Sequence, residues 1–192
     1  MKLLIVRHGE TYDNVNGVVT GHRPGKLTPK GKRQAKAAAL RLKSEHIDAI
    51  FSSDLRRAKD TAKEIAKFHD LPIRYTRELR ERHMGALQGK SHDVYFEAHR
   101  KSGLGVMEFV PKNGEGWQDL YKRILKFTKS IYPKYKDKTI LFVCHAGVSQ
   151  VLISIYLHTP INVAMHTWPK NGGVLALSIT KSRAKVLKNT LV

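Results

Sequence analysis

Arg7-His8-Gly9-Glu10-Thr11 follows the apolar run Leu3-Leu4-Ile5-Val6, and His145-Ala146-Gly147 follows Thr139-Ile140-Leu141-Phe142-Val143-Cys144. Each histidine stands where a run of buried-strand length ends, the place where α/β sheets bind ligands. A lone histidine there is more often a hydrogen-bonded structural residue than a catalyst. Two of them, joined by Arg7 and by Arg57 in the first turn of a helix leaving a third strand, Ala49-Ile50-Phe51-Ser52, describe an anion pocket. The anion suited to several converging donors is tetrahedral phosphate. Guanidiniums beside an imidazole disfavour its protonation. At least one histidine is therefore expected to be neutral and able to attack phosphorus through a ring nitrogen, with the other free to stay protonated against the phosphate charge. A leaving alkoxide needs a proton, and carboxylates are scarce. Glu81, in a glycine-containing loop at the sheet edge, is the best-placed acid.

The elements that must position these residues alternate strand with helix. Residues 12 to 27 are polar and glycine-bearing, a loop returning across the first strand end. Thr28-Pro29 caps a helix on Ala35, Ala38, Ala39 and Leu42 that runs to about Ser44. Ser53 or Asp54 is expected to cap the next, on Leu55, Ala58, Ala62, Ile65 and Ala66. Pro72 to Tyr75 reads as strand and Glu78 to Gly89 as loop. Residues 90 to 113 are irregular, with one helix around Ser91 to Arg100. From Gly116 a long helix on Leu120, Ile124, Phe127 and Ile131 is expected to end at Pro133. Another follows His145, on Val148, Val151, Leu152 and Ile155. Val174 to Ile179 then turns at Lys181-Ser182 into Ala184 to Leu187 as an edge hairpin. The pattern predicts an α/β fold: a three-layer α/β/α sandwich with a mostly parallel central sheet, one antiparallel edge and a small cap insertion. It predicts a single domain over residues 1–192, with the cap at roughly 82–113.

Composition narrows the function classes. Of 192 residues, 41% are hydrophobic and 27% charged, as expected of a folded globular chain and not of a disordered one. Cys144 is the only cysteine, so no intrachain disulfide and no two-cysteine metal site is possible, which fits a reducing compartment. Only four apolar residues precede Arg7, too few for a signal-peptide core, and no run approaches the ~18 of a membrane span. A soluble, cytoplasmic protein without membrane partners is expected. Against 35 Lys and Arg stand 16 Asp and Glu, a net charge of +19 that favours anionic partners. Lys122, Arg123, Lys126 and Lys129 are expected at outward helix positions, with aromatics inward rather than interleaved. No helix-turn-helix, zinc-finger or RNA-binding-sheet pattern is present, which argues for a solvated basic surface and against nucleic acid. A homodimer is left open.

Taken in order, Arg7-His8-Gly9-Glu10-Thr11 with Asn14, Ser52-Ser53-Asp54-Leu55-Arg56-Arg57-Ala58, Glu81-Arg82-His83-Met84-Gly85-Ala86-Leu87-Gln88-Gly89 and His145-Ala146-Gly147 resemble the histidine phosphatase superfamily in its phosphoglycerate-mutase-like branch. The resemblance runs from Lys2 to about Leu177. It implies that His8 is the nucleophile that becomes phosphohistidine and that Arg7, Arg57 and His145 hold the phosphate. It implies Asn14 as a further pocket contact and Glu81 as the acid that protonates the leaving oxygen and then activates water. Thr20-Gly21 matches a substrate contact, and no metal is implied. Arg23, Arg82 and His83 in the adjoining loops, with Ala146 in its motif, are further candidate substrate contacts. Cys144, Trp117 and Trp168 read as packing residues.

The same pocket serves phosphatases and mutases, so its surroundings decide. Mutases commonly place Tyr where this chain has Met84 and Lys where it has His92, and residues 90–113 carry no evident counterpart of the mutases' carboxylate-gripping arginine pair. Asn113-Gly114-Glu115-Gly116 resembles the Gly-Gly-Glu-Ser start of the long helix in the family's phosphatases, with Gly116 in place of the serine. The expectation is a phosphomonoester hydrolase acting on small phosphorylated metabolites without a cofactor. The alternative is a phosphoglycerate mutase primed by 2,3-bisphosphoglycerate. A second alternative, resting on the charge, is a phosphate-recognising regulatory or nucleic-acid-binding protein.

Overall fold

A computed structural model of the chain describes residues 1–164, 169–180 and 184–190; Trp168 and the Lys181-Ser182 turn lie outside the described residues. Strand β1 (Lys2–Arg7) alternates with period two, as a strand buried on both faces must. Leu3 and Ile5 enter one apolar cluster, while Leu4 and Val6 enter another on the opposite side of the sheet. After β1 come α1 (Tyr12–Val15), α2 (Pro29–Leu42), β2 (Ala49–Ser53), α3 (Arg56–Ala66) and β3 (Ile73–Thr76). The second half supplies α4 (His92–Ser102), α5 (Trp117–Tyr135), β4 (Thr139–Cys144), α6 (Ala146–Leu157), α7 (Ile161–Ala164), β5 (Val174–Ile179) and β6 (Ala184–Thr190).

The six strands lie in the order β3-β2-β4-β1-β5-β6, the first four parallel and the last two antiparallel to their neighbours. Helices α2 and α3 cover one face through Ala38, Ala39, Leu42, Ala58, Ala62 and Ile65. Helices α5 and α6 cover the other through Leu120, Ile124, Val148, Val151 and Leu152. This is the expected three-layer sandwich. Because β2, β4 and β1 are adjacent and parallel, their carboxyl ends form one edge, with Arg7 paired to Cys144 and Ser52 to Val143.

Local boundaries differ from the sequence reading for identifiable reasons. Asn14 completes a capping box with Thr11, so the expected loop begins with a helical turn. Neither Ser53 nor Asp54 is the cap of α3; Leu55 holds that position without a side-chain bond. The Asp54 carboxylate is taken instead by Arg80, which donates to it at 2.7 and 2.6 Å. Glu78–Gly89 is loop interrupted by two 3₁₀ turns, Arg77–Leu79 and Gly85–Leu87. Pro133 does not end α5, which continues to Tyr135. The carbonyl left without its usual partner there belongs to exposed Lys129, where water can satisfy it.

The loop after β1 is pressed against the start of α2. Thr28 Oγ1 accepts from Gly31 N and donates to Glu10 Oε1, and Glu10 N donates to Gln34 Oε1. A Cβ on Gly31 would lie 2.0 Å from the Glu10 carbonyl oxygen, a backbone atom with no freedom to rotate away. Gly31→Ala is therefore expected to destabilise the fold by about 1–3 kcal/mol through overpacking. At this chain length that lowers Tm by about 2–4 °C per kcal/mol. Differential scanning calorimetry of the variant checks it, and an unchanged Tm contradicts the close approach.

Candidate active site

Arg57 fixes the site. Its guanidinium is buried at 1% exposure, and every nitrogen is spoken for. Nη1 donates to Arg23 O and Nη2 to Gly21 O, each at 2.8 Å, while Nε donates to His8 Nε2 at 3.1 Å. On its other side His8 Nδ1 lies 2.7 Å from Gly9 O. A carbonyl only accepts, so Nδ1 carries the proton, and Nε2, facing an Arg N–H, presents its lone pair. The tautomer is set by these two neighbours. The His8 backbone is tied down as well: its N–H donates to Cys144 O at 3.0 Å, and its carbonyl accepts from Asn171 Nδ2 at 3.1 Å.

His145, fully buried, packs against His8 with ring centroids 5.1 Å apart. Its Nε2 meets Ser53 Oγ at 2.8 Å, and its Nδ1 has no partner. Burial first, then Arg57 and Arg7, hold His8 well below the ordinary histidine value of 6.5, against a smaller upward pull from the Gly9 carbonyl. Burial, Arg57 and His8 do the same to His145. This corrects the sequence reading on the cause, since desolvation outweighs the guanidiniums, and it extends neutrality to both rings. Burial also lowers Arg57, to about 10, still a cation at neutral pH.

Glu81 faces the histidines from the loop after β3. Its Oε2 accepts from Gly147 N, in the first turn of α6, at 3.2 Å, and its Oε1 from Arg82 N at 2.9 Å. A Cβ at position 147 would come within 2.4 Å of Oε1, so only glycine lets the carboxylate sit there. The loop is held from behind by Arg123 on α5. That guanidinium pairs with Glu115 through two 2.8 Å bonds and donates to the carbonyls of Glu78, Arg80 (3.0 Å) and Glu81 (3.4 Å). His22 Nε2 meets the Glu81 carbonyl at 2.7 Å. Arg123 is thus a loop anchor and not the outward cation expected from its helix position.

These groups floor a pocket of about 320 Å³. Of the candidates named from sequence, Arg7, His8, Asn14, Thr20, Gly21, Arg57, Glu81 and Arg82 line it, with His145 buried directly beneath His8.

Residues 3–190 match the profile of the histidine phosphatase superfamily (branch 1). The chain belongs to that superfamily. The adenosylcobalamin/alpha-ribazole phosphatase of Salmonella typhimurium is 33% identical over 198 residues, covering 100% of this chain and 98% of the relative. The metal-independent phosphoserine phosphatase of Arabidopsis thaliana is 36% identical over 169 residues, 81% of this chain and 67% of that protein. The crystal structure of the alpha-ribazole phosphatase from Shigella flexneri matches with a TM-score of 0.89 at 31% identity, covering 98% of this chain and 96% of that one. The phosphatase expectation agrees with this company.

Three candidate contacts of this histidine phosphatase stand off the pocket wall. The Arg23 side chain reaches outward to Asp13 at 3.5 Å, and only its carbonyl serves the site, by holding Arg57. His83 turns away, its Nδ1 3.0 Å from Asn113 O and its ring edge-on to His22. At the start of α6 it is Gly147, not Ala146, that borders the pocket. Five other lining residues carry no chemical motif: Val18, Val19, Tyr95, Phe96 and Gln150. Trp117 both packs and lines, with the Arg82 guanidinium 4.8 Å above its ring. Asn171, which also donates to Asn14 Oδ1 at 3.4 Å, gave no sequence signal, since a lone Asn before a glycine pair reads as turn.

Two buried neutral histidines imply an acid-side loss of stability. Their folded pKa values are depressed, so as pH falls below 6.5 the unfolded chain binds protons that the native state does not. Each histidine then removes about 1.4 kcal/mol per pH unit until its folded pKa is reached. Urea midpoints measured from pH 7.5 to 5.5 should fall for wild type and fall less steeply for His8→Gln; parallel profiles would contradict the buried neutral ring.

Proposed function

We propose that the protein hydrolyses phosphomonoesters of small metabolites in two steps through phosphohistidine at Nε2 of His8, with residues 82–113 as a cap over the pocket. The observation that carries this reading is the tautomer of His8: Nδ1–H donates to Gly9 O, so the lone pair of Nε2 faces the pocket beside Arg57. In the first step that lone pair attacks phosphorus and the P–O ester bond breaks. The leaving oxygen takes a proton from Glu81, which receives it from the phosphomonoester monoanion as that binds. In the second, Glu81, now a carboxylate, removes a proton from water, whose oxygen attacks phosphorus. The P–N bond breaks and its electron pair returns to Nε2.

Arg7, Arg57 and Asn14 supply donors to the phosphoryl oxygens. Ser53 Oγ accepts from Leu55 N and lies 2.8 Å from His145 Nε2; donation of its proton to that nitrogen would put the remaining imidazole proton on Nδ1 as a further donor. The guanidiniums supply the charge that a metal supplies elsewhere, so the reading needs no metal or organic cofactor. Among the described residues, no three His, Cys, Asp or Glu side chains are grouped to hold a metal, and no helix is long and apolar enough to cross a membrane. Hydrolysis is favoured over exchange because the cap rim is open, Phe96 being 60% exposed, and admits water to the phosphoenzyme.

Wild type should release phosphate from p-nitrophenyl phosphate in the presence of EDTA, and His8→Ala should lose that activity by more than about a thousandfold. Conversion of 3-phosphoglycerate to its 2-isomer, faster than phosphate release from any ester, would overturn hydrolysis in favour of the mutase.

Leaving-group dependence separates Glu81 from the nucleophile. Glu81→Gln should lower kcat for glycerol 3-phosphate by about 10²–10⁴, and far less for p-nitrophenyl phosphate, whose phenolate departs without a proton. Arg123→Met, which removes the anchor behind the Glu81 loop, should show the same asymmetry at smaller amplitude. Equal losses on both esters, with Tm followed in parallel, would leave Arg123 a purely structural role.

A further inference from the structure

The floor of the pocket is polar and charged, whereas the rest of its lining is largely apolar: Val18, Val19, Met84, Trp117 and, on α4, Tyr95 and Phe96, with His92 and Gln150 among them. Tyr95 and Phe96 sit edge to face with centroids 5.4 Å apart, and Tyr95 is backed by the buried Phe109 at 5.9 Å. Phe96 itself is 60% exposed, an aromatic ring left uncovered at the rim of a cleft. Within this apolar wall lies one cation, Arg82. It is buried at 5% exposure and stacked over Trp117, and its Nη1 meets no acceptor, nor does Trp117 Nε1 beneath it. Buried N–H groups without acceptors are rare and unfavourable, and such a pair beside a ligand pocket marks where an acceptor belongs.

A volume of about 320 Å³ holds more than a phosphoryl group. A small polar alcohol such as serine or glycerol would leave the ring-lined walls unused and Phe96 uncovered. A flat apolar group would cover both, with the aromatic edges and faces favouring a ring.

We propose, building on the phosphatase reading above, that the alcohol esterified to the phosphate is an aromatic ring system bearing one oxygen or ring-nitrogen acceptor that Arg82 reads. His8, Arg57 and Glu81 perform the chemistry whatever the alcohol is. Tyr95, Phe96, Trp117 and Arg82 select it.

The test is kcat/KM for phosphate release from four esters: 2-naphthylmethyl phosphate, its carboxylate-bearing analogue, glycerol 3-phosphate and phosphoserine, with p-nitrophenyl phosphate as control. Both naphthylmethyl esters should exceed the two small alcohols by at least about thirtyfold, and the carboxylate should add about tenfold. Phe96→Ala, at an exposed position that folding tolerates, should lower the ratio of naphthylmethyl to glycerol ester at least fivefold. Arg82→Met should erase the advantage of the carboxylate. Hydrolysis of all esters at similar efficiency, or a preference for phosphoserine or glycerol phosphate, overturns the substrate class while leaving the phosphatase intact. A carboxylate advantage that persists in Arg82→Met overturns the role of Arg82. No release from any ester, the control included, overturns the phosphatase reading and this inference with it.

Discussion

A guanidinium buried at 1% exposure needs acceptors, and the structure around Arg57 gives each of its three nitrogens one. Two of its nitrogens end on carbonyls of the 21–23 loop, which pins a polar segment across the end of β1. The third ends on His8 Nε2, which forces the opposite ring nitrogen to carry the proton and find a carbonyl, Gly9 O. Loop position and imidazole tautomer thus follow from one side chain. The arrangement also holds excess charge in reserve. Two guanidiniums, Arg7 and Arg57, face one carboxylate, Glu81, and two imidazoles kept neutral by burial. The excess is one positive charge, which a phosphomonoester monoanion balances; its proton, passed to Glu81, leaves the two guanidiniums facing a dianion, whose arrival gives the Arg57 Nε–H a stronger acceptor than an imidazole nitrogen.

Glu81 presents the opposite problem. In the proposed mechanism this carboxylate exchanges protons with substrate and water, a task that an ion pair would obstruct, so its position has to be set from outside. The backbone does it: Gly147 N and Arg82 N hold the oxygens, and Arg123, its charge matched by Glu115, holds the carbonyls of the loop. The strong ion pairing is kept one step away from the titrating group. Arg80 and Asp54 repeat the device, tying the same loop to the turn after β2.

The parts legible in the sequence are those in which one residue type at one position has one reason to be there. His8 and His145 end continuous apolar runs of buried-strand length, Arg57 opens a helix, and the carboxyl ends of parallel neighbours must share an edge. The three-layer sandwich follows from those runs and the helical periodicities between them. What was not legible depends on long-range approach. Arg123 occupies an outward position of an amphipathic helix, and nothing local reveals that residues 78–81 come to lie on it. Asp54 looks like a helix cap until Arg80 arrives from another loop. Asn171, 163 residues from the His8 carbonyl it supports, has no local signal at all. Arg23 and His83 carry suitable chemistry in suitable loops, but their side chains have partners, the Asp13 carboxylate and the Asn113 carbonyl, that draw them off the wall.

The division between floor and wall is also a division in rigidity. Every floor residue is carried by a sheet edge, by a helix with its own buried face, or by a loop anchored to one. Helix α4, by contrast, has no buried residue and is attached through its N-terminal end, where His92 N donates to Gly17 O and Val19 N to Lys90 O. A wall so lightly packed tolerates exchange of its side chains with little loss of stability, whereas a change beneath His8 disturbs a buried, hydrogen-bonded network at the sheet edge. The relatives fit that asymmetry: with the fold retained, they carry the names of phosphatases for alpha-ribazole, phosphoserine and glucosyl-3-phosphoglycerate. Reaction type is therefore a property of the floor, and the identity of the alcohol is a property of the few side chains that α4 and the loops beside it hold over the phosphate.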